Sequence, residues 1–426
     1  MVSILESNPS IAMKRDVISN QKIATHALSL RPVCRKNRLA VMSVVLLLLS
    51  ACSTLYGPNT MTASRLQYNQ AVQISDQREL LLNLVRLRYT EAPEFFAISA
   101  ISTQMRYQAD AEIGTQIGEE GGNGVALVSP GASVQYSESP TITFVPQRDQ
   151  EFSRQLVTPV ELENIYLLTH YGWALDRVLR LLVTDMNGIR NYRSREYTNQ
   201  PQVALKEFRD VAVRLRQLQL KGLLTVDVQR RVESMSSPLI RDAVSTMDVL
   251  QAVSKGFQLE QDSNSGDLFL TRKRNHYVIR VEDNAWQQAD SSSLLESIGI
   301  AEGKKIIDLD SSDEVLGDQL DIQTRSVLGA MAYLSNAVAV PPEHEKLAGA
   351  AFTEDQILQE LLSVRVSIDP PENAFIGVQH RGYWFYVDDF DLESKQTLGL
   401  LTSLIRLNID AGGAQSVPVL TLPVAN

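Results

Sequence analysis

The pattern of apolar and polar positions divides this chain into four kinds of stretch. The first is an apolar block, Leu39 to Leu49, with Arg35, Lys36 and Arg38 ahead of it and Ser50-Ala51-Cys52 behind it. The second is helical: Asp76 and Glu79 have the spacing of a capping box at a helix start, and Leu80, Leu81, Leu82, Leu84, Val85 and Leu87 predict a helix buried on most sides. Arg86 and Arg88 on it are read as a solvated or salt-bridged edge rather than an anion site. The third begins at Ile101, where the period drops to two. Ile101, Thr103, Met105, Tyr107, Ala109, Ala111, Ile113, Thr115 and Ile117 alternate with polar residues. Such a strand is far longer than the usual 5–6 residues. Gly118–Gly124 is the turn, and the return through Thr141–Val145 makes a long hairpin over 98–145.

The remainder mixes both periods. Helices are predicted from Thr158-Pro159 to His170, from Trp173 to Met186 with Asn187-Gly188 as its stop, and from Gln202 to Lys221. Leu223–Val232 alternates like a strand, and Ser234–Pro238 is the best linker. Beyond it come a helix near Leu239–Lys255, a hairpin across Phe257–Glu260 and Leu268–Thr271, and a strand at Tyr277–Val281. Residues 284–321 read as polar and acidic, with one strand at Lys304–Leu309. Helices at Thr324–Val338 and Thr353–Ser363 follow, then strands at Val364–Ile368, Ala374–Val378 and Tyr383–Val387, a helix capped by Asp391, and a last strand at Val417–Leu422. No regular βαβ rhythm emerges, so the fold class is α+β with antiparallel strands and a long hairpin in the N-terminal half. The expected divisions are 1–51, 52–62 as a tether, 63–237 as an N-terminal α+β domain, and 238–426 as a C-terminal one.

A basic flank, an apolar core and small residues at its end make a secretory signal peptide, and a core of about 13 residues is short of the roughly 20 that span a bilayer. Leu49-Ser50-Ala51-Cys52 resembles a lipobox. That resemblance implies lipidation of the Cys52 thiol, cleavage before it and acylation of the new amino terminus. Ser53 stands where lipoproteins kept in the inner membrane carry Asp, which implies the outer membrane, facing the periplasm. The long stretch ahead of the core points to a start near Val33. With the leader removed, the net charge is −15, a poor match for nucleic acid. Cys34 leaves with the leader and Cys52 takes lipid, so no thiol is left for a disulfide, a metal or a nucleophile.

Tyr68-Asn69-Gln70-Ala71, the run LLLNLVRLRY, Pro140–Pro146, Gly172-Trp173, Asn187-Gly188, Thr324-Arg325-Ser326 and GYWFYVDDFDLESK together resemble a family of uncharacterised Gram-negative lipoproteins. The resemblance implies an exported lipoprotein and assigns no activity, cofactor or catalytic residue.

Candidate chemistry is thin. Asp388, Asp389, Asp391 and Glu393 form the densest acidic cluster, but no glycine bends a calcium loop there, and capping and solvation explain them better. Asp308, Asp310 and Ser312 open like a calcium loop that positions six and twelve then break. The glycines at 118–124 lack the Lys-Ser/Thr of a phosphate loop. His170, His276, His344 and His380 show no metal-ligand spacing, no Gly-x-Ser-x-Gly elbow is present, and Tyr383–Tyr386 reads as core plus interface rather than a peptide or glycan platform. The expectation is a non-enzymatic structural, assembly or interaction protein of the envelope without metal or cofactor, anchored by lipid and associating with itself or with a protein partner. Two alternatives stay open: an oligomeric channel or secretion component using the 98–145 hairpin, and an envelope hydrolase using Asp388 or Asp391.

Overall fold

The first helix, α1 (Pro58–Arg88), runs without a break because no glycine or second proline interrupts it. The computed structural model describes residues 58–117, 126–191, 201–239, 245–262, 266–310, 319–348 and 356–410. The lipobox, Cys52, the turn at Gly118–Gly124 and the strand expected at Val417–Leu422 lie outside these residues. Pro58 occupies the first helical position, where its missing N–H is no loss, so helix begins inside the stretch expected as tether. Asp76 and Glu79 therefore sit in mid-helix and start nothing; Glu79 instead accepts the N–H of Phe96 at 3.1 Å. Leu80, Leu81, Leu84 and Val85 are buried, while Leu66 and Ile74 earlier in the helix are exposed.

The chain divides into two compact units. The first holds residues up to Arg65 and Ile101–Ile142. Most of β1 (Phe96–Ile117) and β2 (Ala126–Pro146) belongs to it, and these strands form a two-stranded sheet of their own. The long hairpin is thus present, with strands of 22 and 21 residues.

The second unit is Leu66–Ala100 with Thr143–Asn426. Its first helices are α2 (Gln150–Val157), α3 (Leu162–His170) and α4 (Leu175–Leu182). Thr158 closes α2 rather than capping the next helix, and α3 begins after Glu161. The helix expected to reach Met186 stops at Leu182. Val183–Met186 (β3) is strand, and Asn187 and Gly188, both at positive φ, turn it into β4 (Ile189–Arg190). Next come α5 (Pro201–Leu220), β5 (Leu224–Ser234), α6 (Thr246–Ser254), β6 (Gln258–Gln261) and β7 (Leu268–Val281). The acidic stretch after them is more ordered than its polarity predicts, holding α7 (Asp283–Trp286), α8 (Ala289–Ser297), β8 (Ile306–Asp310) and β9 (Gln319–Thr324). The chain continues through α9 (Val327–Ser335), α10 (Gln356–Gln359), β10 (Arg365–Ser367), β11 (Ala374–His380), β12 (Tyr383–Asp388) and α11 (Leu392–Asp410).

A seven-stranded sheet runs β4-β3-β9-β8-β7-β5, with β6 also on β7. Its pairs are antiparallel except β8 with β9. The boundary expected at 237/238 falls between β5 and β7, which pair along their shared length. Ser234–Pro238 therefore opens an excursion carrying α6 and β6 and separates no domains. A second sheet, β10-β12-β11, and the helices other than α6 share one hydrophobic core with the first. The glycine inside α11 has a reason: a Cβ on Gly399 would come within 2.9 Å of the Trp173 ring.

The core contains an unusual cation. Arg325 is 6 % exposed, and its guanidinium donates to the carbonyls of Leu181 at 3.1 Å and Val183 at 2.8 Å, and to those of Arg180 and Asn191. The Tyr333 ring lies 4.0 Å beneath it. Burial pushes this guanidinium down to about 10, so it stays charged at neutral pH. The charge is met by the negative end of α4, whose last carbonyls have no helical partners. Its neighbours share the work: Thr324 Oγ1 donates to the Val160 carbonyl at 2.6 Å, and Ser326 Oγ caps α9 by accepting from Gly329 N at 3.0 Å. Replacing Arg325 with Met takes the guanidinium donor from the Leu181 and Asn191 carbonyls, whereas those of Arg180 and Val183 still accept from Asn191 Nδ2; each loss is worth ~1–3 kcal/mol. The expected loss is about 4 kcal/mol in a urea titration, and Arg325→Lys recovers less than half of it because one ammonium cannot fork across four acceptors.

Candidate functional site

The residues with the most elaborate polar arrangement lie where α1 meets β1, at the foot of the hairpin. Asn83 lies in the buried face of α1 and is fully inaccessible. Its amide donates to the Glu94 carbonyl at 2.7 Å and accepts from Glu94 N at 3.0 Å. The Glu94 carboxylate in turn receives the Arg148 guanidinium at 2.9 Å. Gln147 N donates to the Phe95 carbonyl at 2.9 Å, closing the foot of the ladder. Phe95 and Phe152 meet edge to face at 5.5 Å, and Asp149 caps α2 through Phe152 N. Both feet of the hairpin are thus pinned to the same helix end.

α1 ends in a Schellman motif: Glu91 N reaches the Arg86 carbonyl and Thr90 N the Leu87 carbonyl. The left-handed position falls on Thr90, at φ 61°, where glycine is the unstrained choice. That turn presents Tyr89 and Glu91 to the β11–β12 hairpin, whose two-residue turn places Arg381 at φ 49° beside Gly382. The two strained residues face one interface. Arg381 donates to Glu91 Oε1 at 2.6 Å and lies over the Tyr89 ring at 5.3 Å. Tyr89, only 3 % exposed, shares a hydrogen bond of 2.9 Å with His344 Nδ1. Its ring packs against His380 at 5.5 Å and Phe385 at 6.0 Å. Tyr383 donates to Glu343 at 3.3 Å and packs edge-on against His344.

His380 Nε2 lies 3.3 Å from Glu91 Oε2 but out of line, so it is buried without a hydrogen bond. Burial pushes the His380 imidazole below its ordinary range; Glu91 pulls the other way and Arg381 adds to the effect of burial. Burial also opposes ionisation of Glu91, yet the Arg381 fork and His380 outweigh it and hold that carboxyl low. Burial raises the Tyr89 phenol. The arrangement works as a latch: a neutral imidazole and a charged carboxylate–guanidinium pair hold α1's end to the second sheet.

The acidic residues singled out by sequence are taken up elsewhere. Asp388 pairs with Arg365 at 2.8 Å and accepts from Phe390 N. Asp389 binds Lys395, and Asp391 caps α11, accepting from Ser394 N at 3.0 Å and Ser394 Oγ at 2.6 Å. Asp308 holds Arg231 at 2.9 Å. Arg88, read as an edge residue, is buried and donates to the Val338 and Ala348 carbonyls. Among the described residues no group of three His, Cys, Asp or Glu is placed to hold a metal ion. Sequence reasoning missed Asn83, Tyr89 and Glu91, and it kept His344 and His380 apart; the available signal was one asparagine inside an otherwise apolar helical run. No family model matches the chain, and neither a curated protein nor a solved structure matches it.

Asn83→Ala removes both bonds to Glu94 and leaves its partly buried N–H and C=O without their partner, so a loss of about 1–2 kcal/mol is expected in urea unfolding. The latch carries a pH signature. His380 and Glu91 both have folded pKa values below their ordinary 6.5 and 4.5, so the unfolded chain binds more protons in each window. Stability is therefore full above pH 6.5, falls as pH drops below it, and falls again below 4.5. In urea midpoints measured against pH, His380→Gln should abolish the first fall and keep the second.

Proposed function

We propose that this chain is a lipid-anchored, non-enzymatic assembly protein of the cell envelope, held to the outer membrane through Cys52, with the β1–β2 ribbon as its association element. The observation that carries the reading is the ribbon itself. Its strands pair with each other in a two-stranded sheet, and an isolated two-stranded sheet is at best marginal in water. At its foot Phe96 and Phe144 are 42 % and 53 % exposed, aromatic surface of the kind that marks protein contacts. At the foot Asn83 holds both backbone groups of Glu94, and the Glu94 carboxylate holds Arg148. The lipobox resemblance supplies the address, and the acidic balance after Cys52 turns the reading away from nucleic acid.

Two experiments test it. Cells grown with a radioactive fatty acid should label the wild-type chain, which should sediment with outer membranes, and Cys52→Ser should lose both properties; label retained by Cys52→Ser sinks the anchor. Replacing 101–142 with a short Gly-Ser turn should leave the unfolding free energy of the remaining core, from urea titration, within about 1 kcal/mol of wild type. The same replacement should remove the chain from the cross-linked assemblies of intact envelopes. Assemblies that survive it would mean that the ribbon is not the association element.

A further inference from the structure

The two long edges of the ribbon are chemically different. β1 has no proline in its 22 residues. β2 contains Pro130, Pro140 and Pro146. In an antiparallel ribbon alternate residues turn their N–H and C=O groups towards the partner strand, and the others turn them outward. The bond from Gln147 N to the Phe95 carbonyl fixes that alternation at the foot. Pro146, one residue from it, falls at an outward position, and Pro140 and Pro130 share its parity. A proline has no N–H to give, so the outer edge of β2 is interrupted, as natural sheets interrupt edges that must not pair. The outer edge of β1 carries no proline; beyond Phe96, whose N–H goes to Glu79 Oε1, Ile98 and Ala100 hold the outward positions nearest the foot.

From this asymmetry we propose that β1 pairs with β1 of a second copy of this chain, antiparallel across a twofold axis, giving a four-stranded sheet in the order β2-β1-β1-β2. The proposal rests on the reading of the ribbon as an association element and names its partner. A second copy is the fitting occupant because it offers an uninterrupted edge of the same length. Using one edge twice is the defining property of an isologous contact. The four-stranded product passes the threshold of about three strands at which a sheet becomes stable. It also leaves only the proline-bearing edges outermost, which stops growth at two copies. A closed ring of many copies would need β1 of one chain to pair with β2 of the next, and the prolines oppose that pairing.

The test uses the full chain extracted in detergent. Single cysteines placed one at a time along 101–117 are treated with a short bis-maleimide, with the chain lacking an added cysteine as control. In an antiparallel twofold pair, a residue meets its own copy only near the axis. Cross-linked dimer should therefore peak at one position and fall away on both sides, and sedimentation should give a dimer. Ala100→Pro strips one outward donor while sparing the bonds to β2, and it should raise the dissociation constant roughly tenfold. Tryptophan emission and the urea midpoint establish that this variant is folded, and Ser102→Pro replaces it if it is not. A monomer at every concentration overturns the β1 pairing. If that monomer still needs its ribbon to join envelope assemblies, the association reading stands and only the identity of the partner falls. Equal cross-linking at all positions, or cross-links between β1 and β2 of different copies, would also overturn the twofold pair.

Discussion

One guanidinium fixes the middle of this protein. Arg325 stands between the end of α4, strand β3 and the start of α9, and it gathers carbonyls that would otherwise face each other across the core. A buried cation is normally unfavourable by several kcal/mol unless it is fully paired. Here the pairing comes from a helix end whose carbonyls carry partial negative charge and from an aromatic face. A carboxylate would bring its own desolvation penalty; a spent helix end brings little. Two further buried arginines leave the same helix in other directions. Arg177 reaches Glu393, Gln396 and Thr397 on α11, and Arg180 reaches the Ile357 carbonyl and Glu360. α4 thereby becomes the hub to which α11 and the α10 segment are attached.

The ribbon lives under a different constraint. The second unit has a core with two sheets and helices around it, whereas β1 and β2 form a single layer of two strands. Hydrophobic burial stabilises the first, and backbone hydrogen bonds between two strands must sustain the second. Stability is uneven in a chain built this way. The polar locks at the foot follow from that imbalance. Asn83 satisfies both backbone groups of Glu94, so the first residues of β1 inherit the order of α1 and need not generate their own.

How far the sequence discloses this depends on where the partners lie. Period-two alternation over Ile101–Ile117 is visible because it is long and local, and the burial of Leu80–Val85 follows from helical spacing alone. Val183–Met186 is hidden because the apolar run from Leu179 crosses from helix into strand with no breaker between. The order in 284–321 is hidden because charge patterning marks exposure and not the few positions, such as Leu294, Leu295 and Leu320, that are buried. Thr324-Arg325-Ser326 reads as the first turn of a helix, and the burial of Arg325 is hidden because the carbonyls that make it a core residue lie 134 to 145 positions away. His344 and His380 meet only through Tyr89, which neither is near in sequence. Local periodicity is legible; polar contacts made across the fold are not.

Strain and edge chemistry tie the foot to the association proposed for the ribbon. Thr90 and Arg381 hold left-handed conformations at the two sides of one interface, and each such residue costs about 1–3 kcal/mol that the surrounding contacts must offset. A Gly at position 90 would relieve the first without disturbing the Schellman bonds, so the strain is not needed to end the helix. It does fix the direction in which Tyr89 and Glu91 leave α1, and through Asn83 and Glu94 the direction in which β1 starts. The lipid anchor proposed for Cys52 would favour the proposed pairing, since confining copies to one surface raises their effective concentration and lets an edge-to-edge contact of modest intrinsic affinity hold.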